Sequence, residues 1–469
     1  MQVSILSGVY SQKGPDFEAS YPLNLVPNFQ QTGISEGYLR SAPGIDVFAV
    51  GAGTDRGGYN WNGTLYRVSG TTLLSVSSTG IATIVGDVGG SSRVSFASSF
   101  DRMATASNEQ LWYYDGTALS QVTDPDLGVV LDVVWQDGYF ITTDGTNIVI
   151  TELNDPTQVD PLAYGSAEAD PDSILGLLTI RGELYVLGQR TIEVFYNTGV
   201  VTDAAPFPFQ RQRGAQIDKG ISGTHAKCLF LDTFAFCGAG RNEEPKIYVA
   251  GLGEATPIST RGIERMLAAV DDPSTIVLEA RNGDGANTLY VHLPDQTLVY
   301  DHEASQAAQT PVWYRLASGI YADQAYRARN FTYAYGQWHC GDIQSFNLGV
   351  LVDTNDNQFG DKTEWKFDCQ LTYSQGKGGI CHDLELVGFY GRAAPGSEPI
   401  AFMSWTDDGV AWSQERAART GYSGQRGLRV AWRRNGFFRQ WRAFRFRGIT
   451  GTPVSFSRLE ANFEQLNAG

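Results

Sequence analysis

Histidine, cysteine and methionine are scarce in this chain of 469 residues, which has 5, 5 and 4 of them. The histidines show no H-E-x-x-H or similar paired spacing, so the sequence indicates no histidine-based metal site. The cysteines are odd in number and widely spaced, at Cys228, Cys237, Cys340, Cys369 and Cys381. This pattern argues against a disulfide framework and favours buried thiols in a reducing compartment.

Long hydrophobic runs are also missing. No stretch approaches the roughly 18 continuous apolar residues of a membrane span, and the start of the chain lacks the charged and apolar regions of a signal peptide. We therefore expect no membrane span and no signal-directed export. Charged residues make up only 18% of the chain, whereas glycine occurs 53 times. Low charge with high glycine favours tight turns and short strands over long surface helices.

Helical periodicity is scarce, and the best helical candidate, residues 261–269, could equally be a loop. Instead, one pattern recurs: a turn rich in Gly, Asn or Asp followed by a strand of the Leu-Tyr-Val type. Copies begin near residues 62, 108, 137, 181, 232, 288 and 331. Most intervals fit the roughly 40–50 residues of one four-stranded propeller blade.

The sequence therefore predicts an all-β protein with a propeller-like body of six or seven blades. A string of hairpins in an irregular β-sandwich is the alternative. We place an extended N-terminal arm with a possible closing strand at residues 1–45 and the propeller at residues 46–352. A polar linker loop at residues 353–363 then leads to a C-terminal β-sandwich or jelly roll at residues 364–469, rich in arginine and aromatic residues.

Charge is unevenly spread between these parts. The formal net charge is −16. Residues 414–469 hold 11 Arg, no Lys and three acids, a net +8, so residues 1–413 have a net −24. A long acidic body with a short basic end suggests docking in a fixed orientation.

The basic end supplies the candidate interface. Its arginines are interleaved with aromatic residues, a composition shared by protein interfaces and nucleic-acid platforms, although arginine packing on a sandwich surface would look the same. The candidate residues are Arg429, Arg433, Arg434, Arg439, Arg442, Arg445, Trp432 and Trp441.

A second candidate is a calcium loop. Asp353, Asn355, Asn357 and Glu364 occupy positions 1, 3, 5 and 12 of an EF-hand spacing, but Gln358 replaces the required glycine and no flanking helices are indicated. A turn rich in Asp and Asn is the alternative interpretation. We find no catalytic motif and expect no cofactor.

Short motifs along the chain match a known family. They are KGPDF at residues 13–17, YPLN at 21–24, GYLRSAPGI at 37–45, LYRV at 65–68, GDV at 86–88, RVS at 93–95, KGISGT at 219–224, STRGIE at 259–264, HLP at 292–294 and LVYD at 298–301. In this order they resemble the tail-hub proteins of short-tailed bacteriophages, also called packaged-DNA stabilisation proteins. The C-terminal hundred residues match more loosely.

The resemblance implies a structural protein of the virion tail, assembled in the host cytoplasm, and not an enzyme. Family members form a six-fold hub or nozzle ring below the portal-adaptor complex, the head-to-tail connector. This homohexamer contacts the tail needle or plug and the tailspikes or tail fibres, and it retains packaged DNA. Genomic DNA then passes through its channel without sequence-specific binding. From the residues alone, a propeller glycosidase or a carbohydrate-binding adhesin acting on host surface polysaccharide is the alternative.

Overall fold

The protein is almost entirely β-structure in the computed structural model, which describes residues 2–465 except 7, 14–15, 31–34, 154, 168, 203–205, 252, 284 and 373–377. Within these residues there are two short α-helices, Arg261–Ala268 and His302–Ala308, and two 3-10 turns, Arg213–Ala215 and Pro273–Thr275. The all-β prediction is therefore confirmed, and the helical alternative holds for the segment after residue 260.

Seven sheets with antiparallel strands follow one another along the described chain as the blades of a propeller. Blade 1 contains Asp55–Trp61, Thr64–Ser69, Thr72–Val76 and Ala82–Asp87; blade 2 contains Ser95–Ser98, Met103–Ser107, Gln110–Tyr114 and Leu119–Gln121; blade 3 contains Asp132–Gln136, Tyr139–Thr143, Asn147–Ile150 and Tyr164–Ser166. Blade 4 contains Ile174–Ile180, Glu183–Gly188, Ile192–Asn197 and Phe209–Arg211; blade 5 contains Lys227–Phe230, Thr233–Gly238, Lys246–Ala250 and Ala255–Pro257; blade 6 contains Val277–Gly283, Ala286–His292, Thr297–Asp301, Val312–Ser318 and Gln324–Ala325.

The repeated turn motif explains the hairpin at the start of several blades. Asn62 and Gly63 have φ of 50° and 77°, and Asp137 and Gly138 have φ of 51° and 95°. Two consecutive residues in the left-handed region form the tight turn whose twist matches that of the flanking strands. Asn62-Gly63 in blade 1 and Asp137-Gly138 in blade 3 are therefore hairpin turns between the first two strands of their blades.

Blade 7 closes the ring with a strand from the N-terminal part of the chain. It contains Ala328–Ala334, Gln337–Asp342 and Asn347–Val352, and its outer strand is Gly44–Val50, paired antiparallel with Asn347–Val352. Joining the two ends of the propeller in one sheet leaves no gap between its first and last blades. The described residues therefore form seven blades, the higher of the two predicted values.

The C-terminal part is a sandwich of two sheets. The strands of one sheet have the order Val430–Arg433, Gly379–Phe389, Ser455–Gln465, Tyr38–Ser41 and Leu25–Asn28. Two short strands join this sheet: Gln2–Val3 pairs with Ser455–Gln465, and Phe437–Phe438 pairs with Gly379–Phe389. The strands of the other sheet have the order Glu364–Thr372, Trp441–Ile449, Ile400–Thr406 and Arg416–Arg419. Buried aromatic residues fill the space between them, among them Phe367, Trp432, Phe444, Phe446 and Phe456.

The N-terminal segment is shared between both domains. Two of its strands, Leu25–Asn28 and Tyr38–Ser41, extend the sandwich sheet, a role that the sequence-based description of residues 1–45 as an extended arm did not include. The closing strand begins only at Gly44. Asn24 fastens the junction, because its amide Nδ2 donates to the carbonyls of Ala317 in blade 6 (3.0 Å) and Glu364 in the sandwich (2.7 Å). A short hairpin, Tyr10–Lys13 with Asp16–Ala19, precedes these strands.

Ion pairs cross the centre of the propeller. Lys227 in blade 5 contacts Asp132 in blade 3 at 2.7 Å, and both side chains are buried. Arg93, which precedes blade 2, contacts Glu279 in blade 6 at 2.5 Å. Because these pairs join blades that are not neighbours, they occupy the propeller axis and hold its blades together.

Candidate interface on the C-terminal sandwich

The arginine-rich edge of the sandwich lies on the side away from the propeller. Strands Arg416–Arg419 and Val430–Arg433 are the outermost strands of the two sheets and contact each other. At the opposite edge of the sheet that contains Val430–Arg433, Leu25–Asn28 packs against Val312–Ser318 of blade 6. The fold therefore points the arginine-rich edge outward from the body.

Two of the predicted arginines are exposed and paired with acids of the neighbouring strand. The Arg429 side chain is 76% exposed, and its Nε donates to Glu385 Oε1 at 2.9 Å. This hydrogen bond lowers the pKa of the Glu385 carboxyl. Arg433 is 82% exposed and lies 3.9 Å from Asp383. Because water screens such exposed pairs, both guanidinium groups stay available to a partner.

Two further predicted arginines, Arg434 and Arg439, are exposed without any ion pair to a carboxylate in the described residues. Arg434 has a φ of 58° in the turn that follows its strand, and its backbone N–H donates to the carbonyl of His382 at 2.6 Å. The turn presents the side chain to solvent.

Sequence reasoning did not single out Arg419 and Arg426, which are exposed on the same edge. The general arginine density of residues 414–469 was their only signal. We name the full set the distal arginine face: Arg419, Arg426, Arg429, Arg433, Arg434 and Arg439. Exposed Tyr422, Leu428 and Phe437 accompany it.

The other predicted interface residues are mostly internal. Arg442 is only 2% exposed; its guanidinium contacts Asp407 at 2.7 Å and donates to the carbonyl of Phe437 at 2.6 Å. Trp432 is 2% exposed, and its Nε1 donates to the carbonyl of Arg416 at 2.8 Å. Both residues therefore help to hold the edge in shape instead of presenting themselves to a partner.

Arg445 and Trp441 are intermediate cases. Arg445 is 29% exposed, pairs with Asp368 at 2.9 Å and lies over the ring of Trp412 at 3.8 Å. Trp441 is half-buried at the start of its strand. The structure thus divides the predicted set into an exposed group and a structural group, and only the exposed group forms one surface.

Residues of the predicted calcium loop form ion pairs and hydrogen bonds with other residues of the protein. Asp353 lies 3.8 Å from Arg40 and Glu364 lies 3.4 Å from Arg447. Asn355 Oδ1 accepts from the backbone N–H of Asn357 at 3.2 Å, which is an Asx turn, while Asn357 Oδ1 is buried without a hydrogen-bond partner. Among the described residues, no three His, Cys, Asp or Glu side chains are grouped as a metal site. The geometry is that of a turn.

None of the helices within the described ranges is long and apolar enough to cross a membrane.

Comparison with known proteins assigns both domains. Residues 1–356 match the family model described as Bacteriophage P22 Gp10, beta-propeller, and residues 364–464 match the one described as Bacteriophage P22 Gp10, beta-sandwich. Among curated proteins, the chain is similar to the tail hub protein gp10 of Salmonella phage P22. The identity is 34% over 472 residues, which cover 96% of this chain and 97% of that protein.

Similar solved structures are more distant. The WD40 domain of Pan2 from Neurospora crassa is 10% identical, with a TM-score of 0.41 over 67% of this chain and 97% of that one. The computationally designed protein Ika8 is 11% identical, with a TM-score of 0.38 over 66% of this chain and 99% of that one. At these TM-scores, neither similarity supports an argument about function.

Proposed function

The chain belongs to the family of phage tail-hub proteins that includes gp10 of Salmonella phage P22, and from this membership we propose that it forms the hub of a phage tail. The observation that carries the proposal is the extent of the similarity. It covers 96% of this chain and 97% of its relative, so it includes both domains and the segment that joins them. The chain is thus a structural tail component, and the glycosidase or adhesin alternative finds no support.

In the proposed arrangement, six copies form a ring below the portal-adaptor complex and contact the tail needle or plug and the tailspikes or tail fibres. The ring retains packaged DNA and later lets it pass without reading its sequence. Assembly takes place in the host cytoplasm, and the chain performs no catalysis. The exposed arginines Arg429, Arg433, Arg434 and Arg439 serve as a protein-binding surface within the assembled tail.

The centre of the propeller supports a conduit built between copies. The Lys227–Asp132 and Arg93–Glu279 pairs occupy the axis within a single chain. A DNA duplex has no room beside them, so the conduit is the hole of the ring and not the axis of a propeller. The net charge of −24 on residues 1–413 would weaken adhesion of DNA to its wall.

Electron microscopy of particles tests this function. Particles made without the chain should lack the hub density and lose their packaged DNA, and adding the purified chain should restore both the density and DNA retention. Particles that retain DNA and show a complete tail without the chain would refute the proposal.

A further inference from the structure

The segment that forms most of blades 2 and 3 is rich in acidic residues and contains no basic ones. Between residues 103 and 180 there is no Lys, Arg or His, but there are 13 acidic residues. These residues form most of blade 2, all of blade 3 and the first strand of blade 4, with the loops between them. Of these acids, Asp132 lies at the propeller centre, paired with Lys227. Most of the others lie in turns and loops at the surface.

Five of these acids lie on two loops that contact each other. The Asp124 carboxylate accepts from the backbone N–H of Val159 at 3.1 Å, which joins the loop after blade 2 to the long loop within blade 3. We call the five acids the acidic rim: Asp124, Asp126, Glu152, Asp155 and Asp160. None of them forms an ion pair with a base in the described part of the chain. Arg102, whose charge acts on Asp155, pairs with Asp101 at 2.9 Å.

The acidic rim and the distal arginine face lie on opposite sides of the folded molecule. In a ring of seven blades, blade 6 and the boundary between blades 2 and 3 are half a turn apart. The sandwich is attached on the blade 6 side through Leu25–Asn28, and the distal arginine face lies at its far edge. The two oppositely charged surfaces therefore cannot meet within one chain.

We propose that the distal arginine face of one copy docks on the acidic rim of the next copy. This inference rests on the proposed hub function and adds the pair of surfaces that builds the ring. Two different surfaces at opposite ends give a head-to-tail contact, which closes into a ring when the rotation between copies is suitable. Charge complementarity selects the partner and sets the register of the contact.

Both surfaces also carry the apolar residues that an interface core needs. Leu153 and Leu162 on the long loop of blade 3 are 55% and 64% exposed, and Phe437 beside the distal arginine face is 49% exposed. Apolar side chains within a charged border are typical of the centre and rim of a protein interface. A nucleic acid would use the arginines alone and would leave the acidic rim without a role.

Charge reversal on each side tests the contact. One variant combines Arg433→Glu with Arg434→Glu, and the other combines Asp126→Lys with Glu152→Lys; all four native side chains are exposed. Light scattering and electron microscopy would measure how much of each protein assembles on a purified portal-adaptor complex. Each variant alone should assemble at least about tenfold less than the unmodified chain, because like charges then face each other.

The mixture of the two variants is the decisive sample. In an alternating ring, the reversed arginine face of one chain would meet the reversed acidic rim of the next, and the unmodified surfaces would face each other at the following contact. Assembly should then return to within about twofold of the unmodified chain. A matched control, Arg190→Glu with Arg213→Glu, changes the charge by the same amount on exposed residues of another part of the propeller and should assemble normally.

The outcomes separate the two proposals. If the unmodified chain does not join the complex, the hub function itself fails. If it joins and either reversed variant also joins normally, the contact between distal arginine face and acidic rim is refuted. If both variants fail and their mixture fails too, the contact is also refuted, and another partner, such as DNA or a different tail protein, covers the arginines. Arg426→Glu with Arg439→Glu serves as a second pair on the same face if the first variant does not fold.

Discussion

The propeller and the sandwich both use arginine–carboxylate pairs, but at different depths. In the propeller, Arg67 and Asp55 are 1% and 2% exposed, and Asn330 of blade 7 completes their hydrogen bonds. At the sandwich edge, Arg433 and Asp383 are 82% and 47% exposed and 3.9 Å apart. A buried pair cannot lose one partner without leaving a charge in an apolar environment, whereas an exposed pair can exchange its partner for water or for another protein.

Both kinds of arginine occur within the sandwich as well. Arg442 and Arg439 are close neighbours in the sequence, yet the first is buried and the second is exposed. The two residues have the same charge and lie in the same arginine-rich segment. The burial of the side chain therefore decides whether an arginine maintains the fold or remains available for binding.

The largest effect is expected for Arg67→Met. Arg67 Nε donates to Asp55 Oδ2 at 2.8 Å, and its Nη1 donates to the carbonyl of Asn330 at 2.8 Å, so it links blade 1 to blade 7. The variant leaves Asp55 buried without its charge partner, which should lower the free energy of unfolding by about 3–5 kcal/mol. Denaturant unfolding followed by tryptophan fluorescence measures the loss.

A double variant shows whether the unpaired charge is the cause. Arg67→Met combined with Asp55→Asn removes both charges, so it should be more stable than Arg67→Met alone. A loss below about 1 kcal/mol for Arg67→Met would contradict the assignment of this pair as a clasp between the first and last blades.

Arg442→Met should follow in size. Its partner Asp407 is 46% exposed and remains hydrated, but the carbonyl of Phe437 loses its donor and the rings of Trp405 and Phe438 lose the guanidinium above them. We expect a loss of about 2–4 kcal/mol in the free energy of unfolding. Arg439→Met is the matched control and should change this free energy by less than about 0.5 kcal/mol. Equal losses in the two variants would remove the distinction between structural and exposed arginines.

A pH effect should come from the propeller. Burial, with a smaller contribution from Arg67, lowers the pKa of His339 to about 4. A lowered histidine pKa means that the unfolded chain binds the proton more readily. The contribution of neutral His339 to the free energy of unfolding is therefore fully present above about pH 6.5, and it is lost as the pH falls towards 4.

The variant His339→Phe isolates this contribution, because phenylalanine cannot bind a proton. The new ring can pack against Phe48, since the ring centroids of Phe48 and His339 are 4.4 Å apart. Between about pH 8 and pH 5, the free energy of unfolding should fall by about 1–2 kcal/mol more for the unmodified chain than for the variant. Thermal unfolding of both proteins over this range measures the difference. Parallel pH profiles would exclude His339 as the group responsible.

The repeated turns made the propeller predictable, because turns such as Asn62-Gly63 and Asp137-Gly138 form hairpins from local sequence alone. The contribution of Leu25–Asn28 and Tyr38–Ser41 to the sandwich sheet was not predictable, since Tyr38–Ser41 joins that sheet by pairing with Ser455–Gln465 at the other end of the chain. For the candidate interface, arginine density located the correct edge. It could not separate Arg442 from Arg439, because burial depends on the path of the second sheet, which local composition does not encode.

The smallest effect on the free energy of unfolding is expected at the distal arginine face, where the ion pairs are exposed and not buried as in the propeller. Arg433→Ala removes an ion pair that is long, exposed and screened by water, so the free energy of unfolding should change by less than about 0.5 kcal/mol. Arg429→Ala should behave in the same way, although its pair with Glu385 is shorter, because 76% of its side chain is exposed. Both variants should unfold at the denaturant concentration of the unmodified chain. A loss comparable to that of Arg442→Met would show that these arginines maintain the sandwich, and their proposed role in binding another copy would then lose its basis.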